Sequence, residues 1–471
     1  MLFNGIDLSS YFRIKDIRGR GLINKEIETV SAAGMDGAYL SSVTTSVRYL
    51  EVDVRIFGND LRKTIDDLNA VFALKETVPI VFPDEPDMTY YGIVEFSEES
   101  KEYRHLKTHD TTIYILRTDP YKYGPEETIP FEPLGYVDIN IEGAAETEPV
   151  FELEVTKSTT FAMLMNNHDE YMMLGLPYDV DSGGPYTKYQ RILTATGANM
   201  TGWTKASTGD VDGVVIGDMT TQNGRFQASS YGTGTGWHGP AIKRSFTSLK
   251  NFRLEAEIDF GNLDAAMVGR VEVYLLDVNG NQITKLAFKD TQVWQSDSIH
   301  EARIGDNENN HFFYKPFDWS LLFWDNFKGI MRIERENNVW SSYVSHITPN
   351  GIHYSKRIGS PIDMGNRHSA NVAQVVIHVA QFGTYATQNM GVRSVAIDRI
   401  NSQPTGVPYI AHAGDKITID SKTSQAYING EHIPVDDFGA DFFTLKPGFN
   451  RIVVHPPNTF NARVKRREKY S

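Results

Sequence analysis

The sequence predicts a mainly β protein with one helix, divided into several domains. Its 471 residues exceed what one ordinary hydrophobic core occupies, so we expect about two to four domains. From residue 131 onward, turn signals recur about every eight to twelve residues, and no further amphipathic helix of useful length follows. Short strands at this spacing are typical of β-sandwiches and barrels.

The first 130 residues contain the clearest alternating strand. In RYLEVDVRIFG (48–58), apolar side chains alternate with more polar ones along the chain. Successive side chains of a strand point to opposite faces, so one face of this strand is predicted to be core. That face consists of Leu50, Val52, Val54 and Ile56.

The predicted helix is NDLRKTIDDLNAVFA, residues 59–73. Asn59 or Asp60 stands where a helix needs an N-cap side chain. Apolar residues recur along one stripe, which predicts the face that packs on the core. The stripe consists of Leu61, Ile65, Leu68 and Phe72.

The composition excludes several classes of function. Lys and Arg number 46 and Asp and Glu 60, and the net charge of −14 argues against a general affinity for DNA or anionic lipid. No apolar run is long enough to span a bilayer, and MLFNGIDLSS lacks the features of a cleaved signal peptide. The absence of cysteine removes disulfides, thiolate nucleophiles and cysteine-ligated zinc. We therefore expect synthesis in a cytoplasm, with no specific nucleic-acid binding and no membrane partner.

Tryptophan marks the middle of the chain as a separate module. All six tryptophans lie between residues 203 and 340. The same region contains a stretch rich in Gly, Ser and Thr at 205–236, and a linker-like stretch, NSQPTGVP (401–408), follows it.

The N-terminal third resembles the distal tail proteins of long-tailed bacteriophages (siphoviruses) that infect Gram-positive bacteria. Four stretches occur in that family's order and spacing: FNGIDLSSYFRIKDIRGRGL, AAGMDGAYL, DLRKTIDDLNAVF and TDPYKYG. The resemblance covers residues 1–130 and implies a ring-forming N-terminal tail domain. In the family, rings of six subunits close around the DNA exit channel and connect the tail tube to the tip.

The end of the chain is similar to the galectin-like C-terminal domain of the same family. The similarity rests on AGDKITIDSKTSQAYINGEHI and FFTLKPGFNRIVV, and the first strands of that domain would be YVDINIEG and PVFELEV. It implies a β-sandwich formed by residues 131–177 and 405–471 and interrupted by residues 178–404, an inserted jelly-roll sandwich resembling carbohydrate-binding modules. Neither piece of the interrupted sandwich contains tryptophan, so we do not expect that sandwich to bind sugar itself.

The resemblance also implies the partners and the location of the protein. We expect a homo-hexameric ring with tail-tube and tail-tip proteins as neighbours. The protein would be assembled in the host cytoplasm and would end in the virion, at the tail tip or baseplate.

The stretch FDWSLLFWDN (317–326) contains the first candidate for a sugar-binding surface. As a strand, it places Phe317, Trp319, Leu321 and Phe323 toward the core and Asp318, Ser320, Leu322 and Trp324 on the other face. An indole ring beside a carboxylate and a hydroxyl suits a sugar, which offers C–H groups and hydroxyls. We therefore assign carbohydrate binding to Trp324 and Asp318, and a core position to Trp319.

The Asn337-Asn338 hairpin supplies the second candidate. A two-residue turn pairs Glu336 with Val339, Arg335 with Trp340, Glu334 with Ser341 and Arg332 with Tyr343. Trp340 is predicted to cap a core edge. The opposite face displays Arg332, Glu334 and Tyr343, which form either part of a saccharide site or an ordinary solvated strand face.

Two loops add further candidates. Trp237 ends a loop rich in Gly, Thr and Ser, where an indole has little core to enter, so we expect it to be exposed and to contact sugar. The acidic loop GDNENNHFF (305–313) offers oxygen ligands for Ca²⁺ but lacks the regular spacing of a calcium loop. We therefore predict no metal and no cofactor.

A glycan hydrolase is the main alternative for the insert. Glu334 and Glu336 lie two residues apart on one strand, as do Glu255, Glu257 and Asp259, and such spacing permits glycoside hydrolysis. The order differs from the Glu-x-Asp-x-Glu of one jelly-roll glucanase family, and motifs of esterases and zinc proteases are absent. We predict a tail-tip hub whose insert binds host cell-wall polysaccharide and is not an enzyme. A glycan-degrading insert and a purely architectural insert are the alternatives.

Overall fold

The computed structural model describes residues 1–103, 107–178, 183–261, 264–312, 324–359, 363, 365–403, 405–435 and 441–470. The chain divides into two compact units. The first unit contains Met1–Gly175, His412–Tyr427 and Ile433–Ser471, and the second contains Leu176–Ala411 and Ile428–His432. Strands dominate the described residues, which include one α-helix, so the predicted mainly β fold class is confirmed. The predicted domain boundaries at residues 130, 177 and 404 stay predictions.

The first unit begins with strands and the helix α1 (Leu61–Phe72). The strands up to the start of the second unit are β1 (Leu2–Phe3), β2 (Ile6–Asp7), β3 (Phe12–Arg18), β4 (Lys25–Val30), β5 (Tyr39–Thr45), β6 (Arg48–Phe57), β7 (Val78–Phe82), β8 (Glu85–Tyr103), β9 (Thr108–Arg117), β10 (Lys122–Pro130), β11 (Tyr136–Ile141), β12 (Val150–Val155), β13 (Phe161–Asn166) and β14 (Tyr171–Gly175). The predicted face of β6 is buried, and the predicted stripe of α1 packs against the same core. The Asp60 side chain caps α1 by accepting the N–H of Lys63 at 3.2 Å.

The second unit contains the following strands. They are β15 (Pro185–Tyr186), β16 (Tyr189–Thr196), β17 (Thr204–Lys205), β18 (Val214–Val215), β19 (Asp218–Gln222), β20 (Arg225–Ser230), β21 (Trp237–Gly239), β22 (Ala241–Leu249), β23 (Phe252–Gly261), β24 (Gly269–Leu276), β25 (Gln282–Asp290), β26 (Ser298–Gly305), β27 (Asn310–Phe312), β28 (Phe327–Glu336), β29 (Val339–Ile347), β30 (His353–Gly359), β31 (Val372–Phe382), β32 (Asn389–Ile400) and β33 (Val407–Pro408).

Two large sheets form a sandwich in the second unit. The β23 sheet has the order β19-β20-β32-β23-β28-β29-β30, with β16 also paired to β32. The β24 sheet has the order β17-β22-β31-β24-β25-β26-β27, and β21 is also paired to β31. Alternate residues of both sheets share one apolar core, for example Leu254 of β23 and Val273 of β24. The other residues of each strand therefore form two outer faces, which carry the polar side chains.

From His412 the chain returns to the first unit, except for Ile428–His432, which belong to the second. Its last strands are β34 (Lys416–Asp420), β35 (Gln425–Ile428), β36 (Glu431–Ile433), β37 (Gly448–His455) and β38 (Phe460–Tyr470). β12 pairs with β34 and β38, and β11 and β13 both pair with β37. Strands from before and after the second unit therefore share sheets, the pairing that the resemblance implies for an interrupted sandwich.

Candidate functional site

Trp324 is a core residue. It lies in the turn 324–326 before β28, and its side chain is only 4% exposed. The ring of His346 stacks on the indole with centroids 5.2 Å apart and planes at 6°. The prediction that Trp324 forms an exposed sugar platform is therefore wrong, because strand alternation does not apply in a turn. Asp318 and Trp319 lie outside the described residues.

The β28–β29 hairpin has the predicted register but not the predicted open face. Arg332 pairs with Tyr343 and Arg335 with Trp340, and Trp340 is fully buried, as expected. Arg332 and Tyr343 are also buried, at 9% and 6% exposure. The expectation of an exposed outer face is therefore wrong for both of these residues.

Ion pairs explain why this part of the face is closed. The Arg332 guanidinium donates to the two carboxylate oxygens of Glu431 at 3.0 and 2.8 Å and to Glu255 at 2.9 Å. It also lies 4.9 Å from the ring centre of Tyr343, whose hydroxyl is 2.7 Å from Nδ1 of His353. Burial acts to raise the pKa of Glu255, but the charges and hydrogen bonds of Arg332 and Arg253 together outweigh burial and the pKa is lowered.

The remaining carboxylates of the β23 sheet are also engaged. Glu334 accepts a hydrogen bond from the Tyr189 hydroxyl at 3.2 Å and lies 3.8 Å from Arg253. Asp259 accepts from Arg393 at 2.8 Å. Burial raises the pKa of Glu257 above its ordinary value, although Arg393 acts to lower it. Glu257 is therefore the member of the predicted carboxylate set that most resembles a catalytic acid.

The outer face of the β24 sheet carries a second set of charged side chains, which the sequence did not single out. Its members are Arg270 and Glu272 on β24, Lys285 and Lys289 on β25, Glu301 and Arg303 on β26, and His378 on β31. All except Lys289 are buried. Lys285 Nζ lies 2.7 Å from Glu301, 2.9 Å from Asp212 and 3.3 Å from Glu272. The charges therefore form one paired network.

Glu272 and His378 are the most deeply buried pair of that network. Burial acts to raise the pKa of Glu272, but Arg270 and Lys285 outweigh it, so the pKa lies well below the ordinary value. Burial lowers the pKa of His378, which keeps the imidazole neutral. The carboxylate is therefore ionised, and Nδ1–H of His378 donates to it at 2.8 Å.

An exposed group of aromatic side chains lies at one end of the β24 sheet. Trp237 of β21 pairs with Phe382 at the end of β31, and their ring centres are 5.2 Å apart. Tyr385 stacks beyond Phe382, with centroids 6.5 Å apart and planes at 21°. Phe382 is 38% and Tyr385 44% exposed, while Trp237 is half-buried. We call Trp237, Phe382 and Tyr385 the aromatic cluster.

The Trp237 indole packs against the side chain of Arg270 on the outer face of the β24 sheet. The Arg270 guanidinium lies 4.6 Å from the centre of the indole ring and bonds to the carbonyl of Asp212. Gly213 makes this approach possible, since a Cβ there would lie 2.8 Å from Arg270 Nη2 and 3.0 Å from the Trp237 carbonyl oxygen. The position of the indole is therefore set by packing within the second unit.

Trp294 is the most exposed tryptophan of the described residues, at 74%. It lies in the loop between β25 and β26. No role was predicted for Trp294, Phe382 or Tyr385, although QFGTY places two aromatics around a glycine in a loop-like stretch. Gly383 has φ 53°, as expected for a tight turn that leaves both rings outside.

The acidic loop predicted as a weak calcium candidate is folded on itself. The Asp306 carboxylate accepts the backbone N–H groups of Glu308 and Asn309 at 2.9 and 2.7 Å. Among the residues that the structure describes, no three His, Asp or Glu side chains are arranged to hold a metal ion. A search of the same residues found no helix long and apolar enough to cross a membrane.

The fold and this surface define a β-rich protein with a separate sandwich module that presents an aromatic patch. Family models of a phage tail protein RIFT-related domain and of a siphovirus-type tail component C-terminal domain match residues 5–108 and 382–470. The distal tail protein of Bacillus phage SPP1 is 35% identical over 208 residues, covering 42% of this chain and 81% of that protein. The chain belongs to the siphovirus distal tail protein family, so it is a structural component of a phage tail.

Two solved structures are also similar to parts of the chain. The crystal structure of the SPP1 distal tail protein, described as a hub of the adsorption apparatus, is 30% identical and covers 38% of this chain and 74% of its own, with a TM-score of 0.34. The CBM2 module of the evolved distal tail protein of Lactobacillus casei BL23 phage J-1 is 15% identical. It covers 46% of this chain and 98% of its own, with a TM-score of 0.40.

Proposed function

We propose that this protein is the hub of a tail tip, where a ring of six copies connects the tail tube to the adsorption apparatus. The second unit binds cell-wall polysaccharide of the host. Membership of the distal tail protein family supports the hub role. One observation carries the saccharide role: the exposed aromatic cluster on an otherwise ion-paired sandwich.

The aromatic cluster has the chemistry that a sugar requires. Aromatic rings contact the C–H groups of a sugar ring, and nearby polar groups orient its hydroxyls. Phe382 and Tyr385 supply exposed rings, and the Tyr385 hydroxyl supplies a polar group at the same place. Six copies on a ring would raise a weak affinity by avidity, without any new contact.

Phe382→Ala tests this role in the full-length protein. We expect it to abolish sedimentation with purified host cell walls, because the exposed ring contributes to binding more than to the core. Phe449→Ala is the matched control, since Phe449 is 55% exposed in the first unit. Full wall binding by Phe382→Ala would contradict the proposed saccharide site.

An exposed apolar hairpin in the first unit supports a ring of identical copies. β4 and β5 pair with each other and with no other strand of the described residues. The hairpin exposes large apolar side chains, among them Ile27 at 63%, Tyr39 at 72% and Leu40 at 64%. A two-stranded hairpin is marginal alone, and apolar area of this kind marks a protein interface. In a symmetric ring, a second copy of the chain would cover this apolar surface.

The ring is tested by placing a charge on that hairpin. Leu40→Asp should shift the purified protein from hexamer to monomer in light scattering, because a carboxylate in an apolar interface remains unpaired. Leu134→Asp is the control, since Leu134 is 77% exposed outside the hairpin. If Leu40→Asp remains hexameric, the hairpin is not the interface; if the unmodified protein is monomeric with its tail partners present, the ring is wrong.

A glycan hydrolase remains a second candidate because of Glu257, whose pKa is raised by burial. A hydrolase also needs a second carboxylate free to act as nucleophile or base. Both carboxylates two positions away on the strand are held by arginine: Glu255 by Arg332 at 2.9 Å and Asp259 by Arg393 at 2.8 Å. We therefore favour a binding module without catalytic activity.

A further inference from the structure

Trp294 lies at the same end of the β24 sheet as the aromatic cluster. β24 pairs with β31 through Gly269 and Gln381, and with β25 through Gly269 and Asp290. The residues that follow Gln381 and Asp290 therefore leave the sheet at one end. Phe382 and Tyr385 follow the first of these residues, and Trp294 follows the second.

The register gives the distance across this end. Going from β21 to β25 crosses β31 and β24, which makes three strand-to-strand steps, and β26 is one step further. At about 4.8 Å a step, the β25–β26 loop begins about 14 Å from Trp237 and ends about 19 Å from it. No single sugar ring spans that distance.

Polar side chains lie on the outer face between the two aromatic positions. Arg270 and Lys289 are direct cross-strand neighbours on β24 and β25. Arg270 is the residue beneath Trp237, and the Lys289 side chain is 21% exposed. A ligand lying across this end would therefore meet an aromatic ring, then the partly exposed ammonium group of Lys289, then a second aromatic ring, while the buried Arg270 supports the first ring from the sheet side.

We propose that this end of the β24 sheet binds an internal stretch of a linear polysaccharide, several sugar units long, between the aromatic cluster and Trp294. The proposal rests on the saccharide role proposed above and specifies its ligand as a chain rather than a terminal sugar. The aromatic cluster supplies the first subsite, and Trp294 supplies the last.

The test measures affinity against chain length. The probes are fragments of the purified wall polysaccharide of the host, made by partial hydrolysis, separated by size and used free in solution so that avidity does not contribute. For the unmodified full-length protein, affinity should rise with length and level off once a fragment reaches Trp294. Trp294→Ala should remove the last part of this rise and weaken binding of long fragments by about tenfold, without changing binding of short ones.

Val278→Ala is the matched control, because Val278 is also 74% exposed but lies in the turn at the opposite end of β24 and β25. If Trp294→Ala leaves the length dependence intact while Phe382→Ala abolishes binding, the extended site is wrong and the saccharide role stands. If Phe382→Ala binds fragments of every length normally, both proposals fail. Loss of the length dependence in Val278→Ala as well would also contradict the extended site.

Discussion

The two outer faces of the sandwich differ in how their polar residues are used. On the β23 sheet, Arg332 joins Glu255 and Glu431, and its neighbours are paired in the same way. On the β24 sheet, a paired network is equally closed, but one end carries exposed rings of Phe382 and Tyr385. Apolar and polar residues alternate along the strands of both sheets. A face that points away from the core can nevertheless be closed by ion pairs, so alternation alone does not predict an accessible surface.

The difference shows what turns an outer face into a binding surface. Ion-paired side chains that are buried are not accessible to a ligand, and separating the pairs would be costly. Rings at a sheet end have no neighbouring strand above them, so their faces stay in solvent. Binding in this module is therefore expected at the end of a sheet, where the rings and Lys289 are accessible, and not on the buried part of the charged network.

Trp324→Ala should have the largest effect on stability. The indole is packed among core residues and stacked on His346, so its removal should lower the free energy of unfolding of the second unit by about 3 to 5 kcal/mol. Tryptophan fluorescence follows this unit, because all six tryptophans lie in it. Trp294→Ala serves as the control and should leave the unfolding midpoint nearly unchanged. Equal small losses in both variants would mean that Trp324 is not core.

Arg332→Met should have the next largest effect. It leaves the carboxylates of Glu255 and Glu431 without their shared cation, which should cost about 3 kcal/mol in urea unfolding. Arg451→Met is the control, because the Arg451 and Asp138 side chains are 50% and 39% exposed and water can replace their contact. Wall binding should survive in folded Arg332→Met protein. Loss of binding without loss of stability would instead place the sugar on the β23 sheet.

The sequence was sufficient to predict the structural features that depend on local periodicity. The Arg332–Tyr343 register followed from a two-residue turn, and the α1 stripe followed from helical spacing. It failed at Trp324 because the sequence was interpreted as one strand that includes this residue, whereas Trp324 lies in a turn. The segment around Glu431, about 100 residues further along the chain, closes the β28–β29 face by a contact that no local pattern reveals.

Glu257→Gln separates a structural carboxylate from a catalytic one. Burial raises the folded-state pKa of Glu257 above its ordinary value of 4.5, so the folded protein holds this proton more tightly than the unfolded chain. This group therefore lowers stability as pH rises from 4.5 through the folded-state pKa. Glu257→Gln should lose less of its thermal midpoint than the unmodified protein between about pH 4 and about pH 7.

The same variant tests for catalysis. We expect neither protein to release reducing ends from host wall polysaccharide. Release by the unmodified protein that disappears in Glu257→Gln would establish the hydrolase in place of the binding module.

We propose that the sugar is held at the end of the β24 sheet and not on the β23 sheet. One pair of variants tests it directly, since Tyr385 of the aromatic cluster and Tyr354 of β30 are 44% and 48% exposed in the same unit. The measurement is the affinity of each full-length variant for soluble host wall polysaccharide. Tyr385→Ala should weaken binding by about tenfold and Tyr354→Ala should bind as the unmodified protein does. The reverse result, with binding lost in Tyr354→Ala and kept in Tyr385→Ala, would contradict the account.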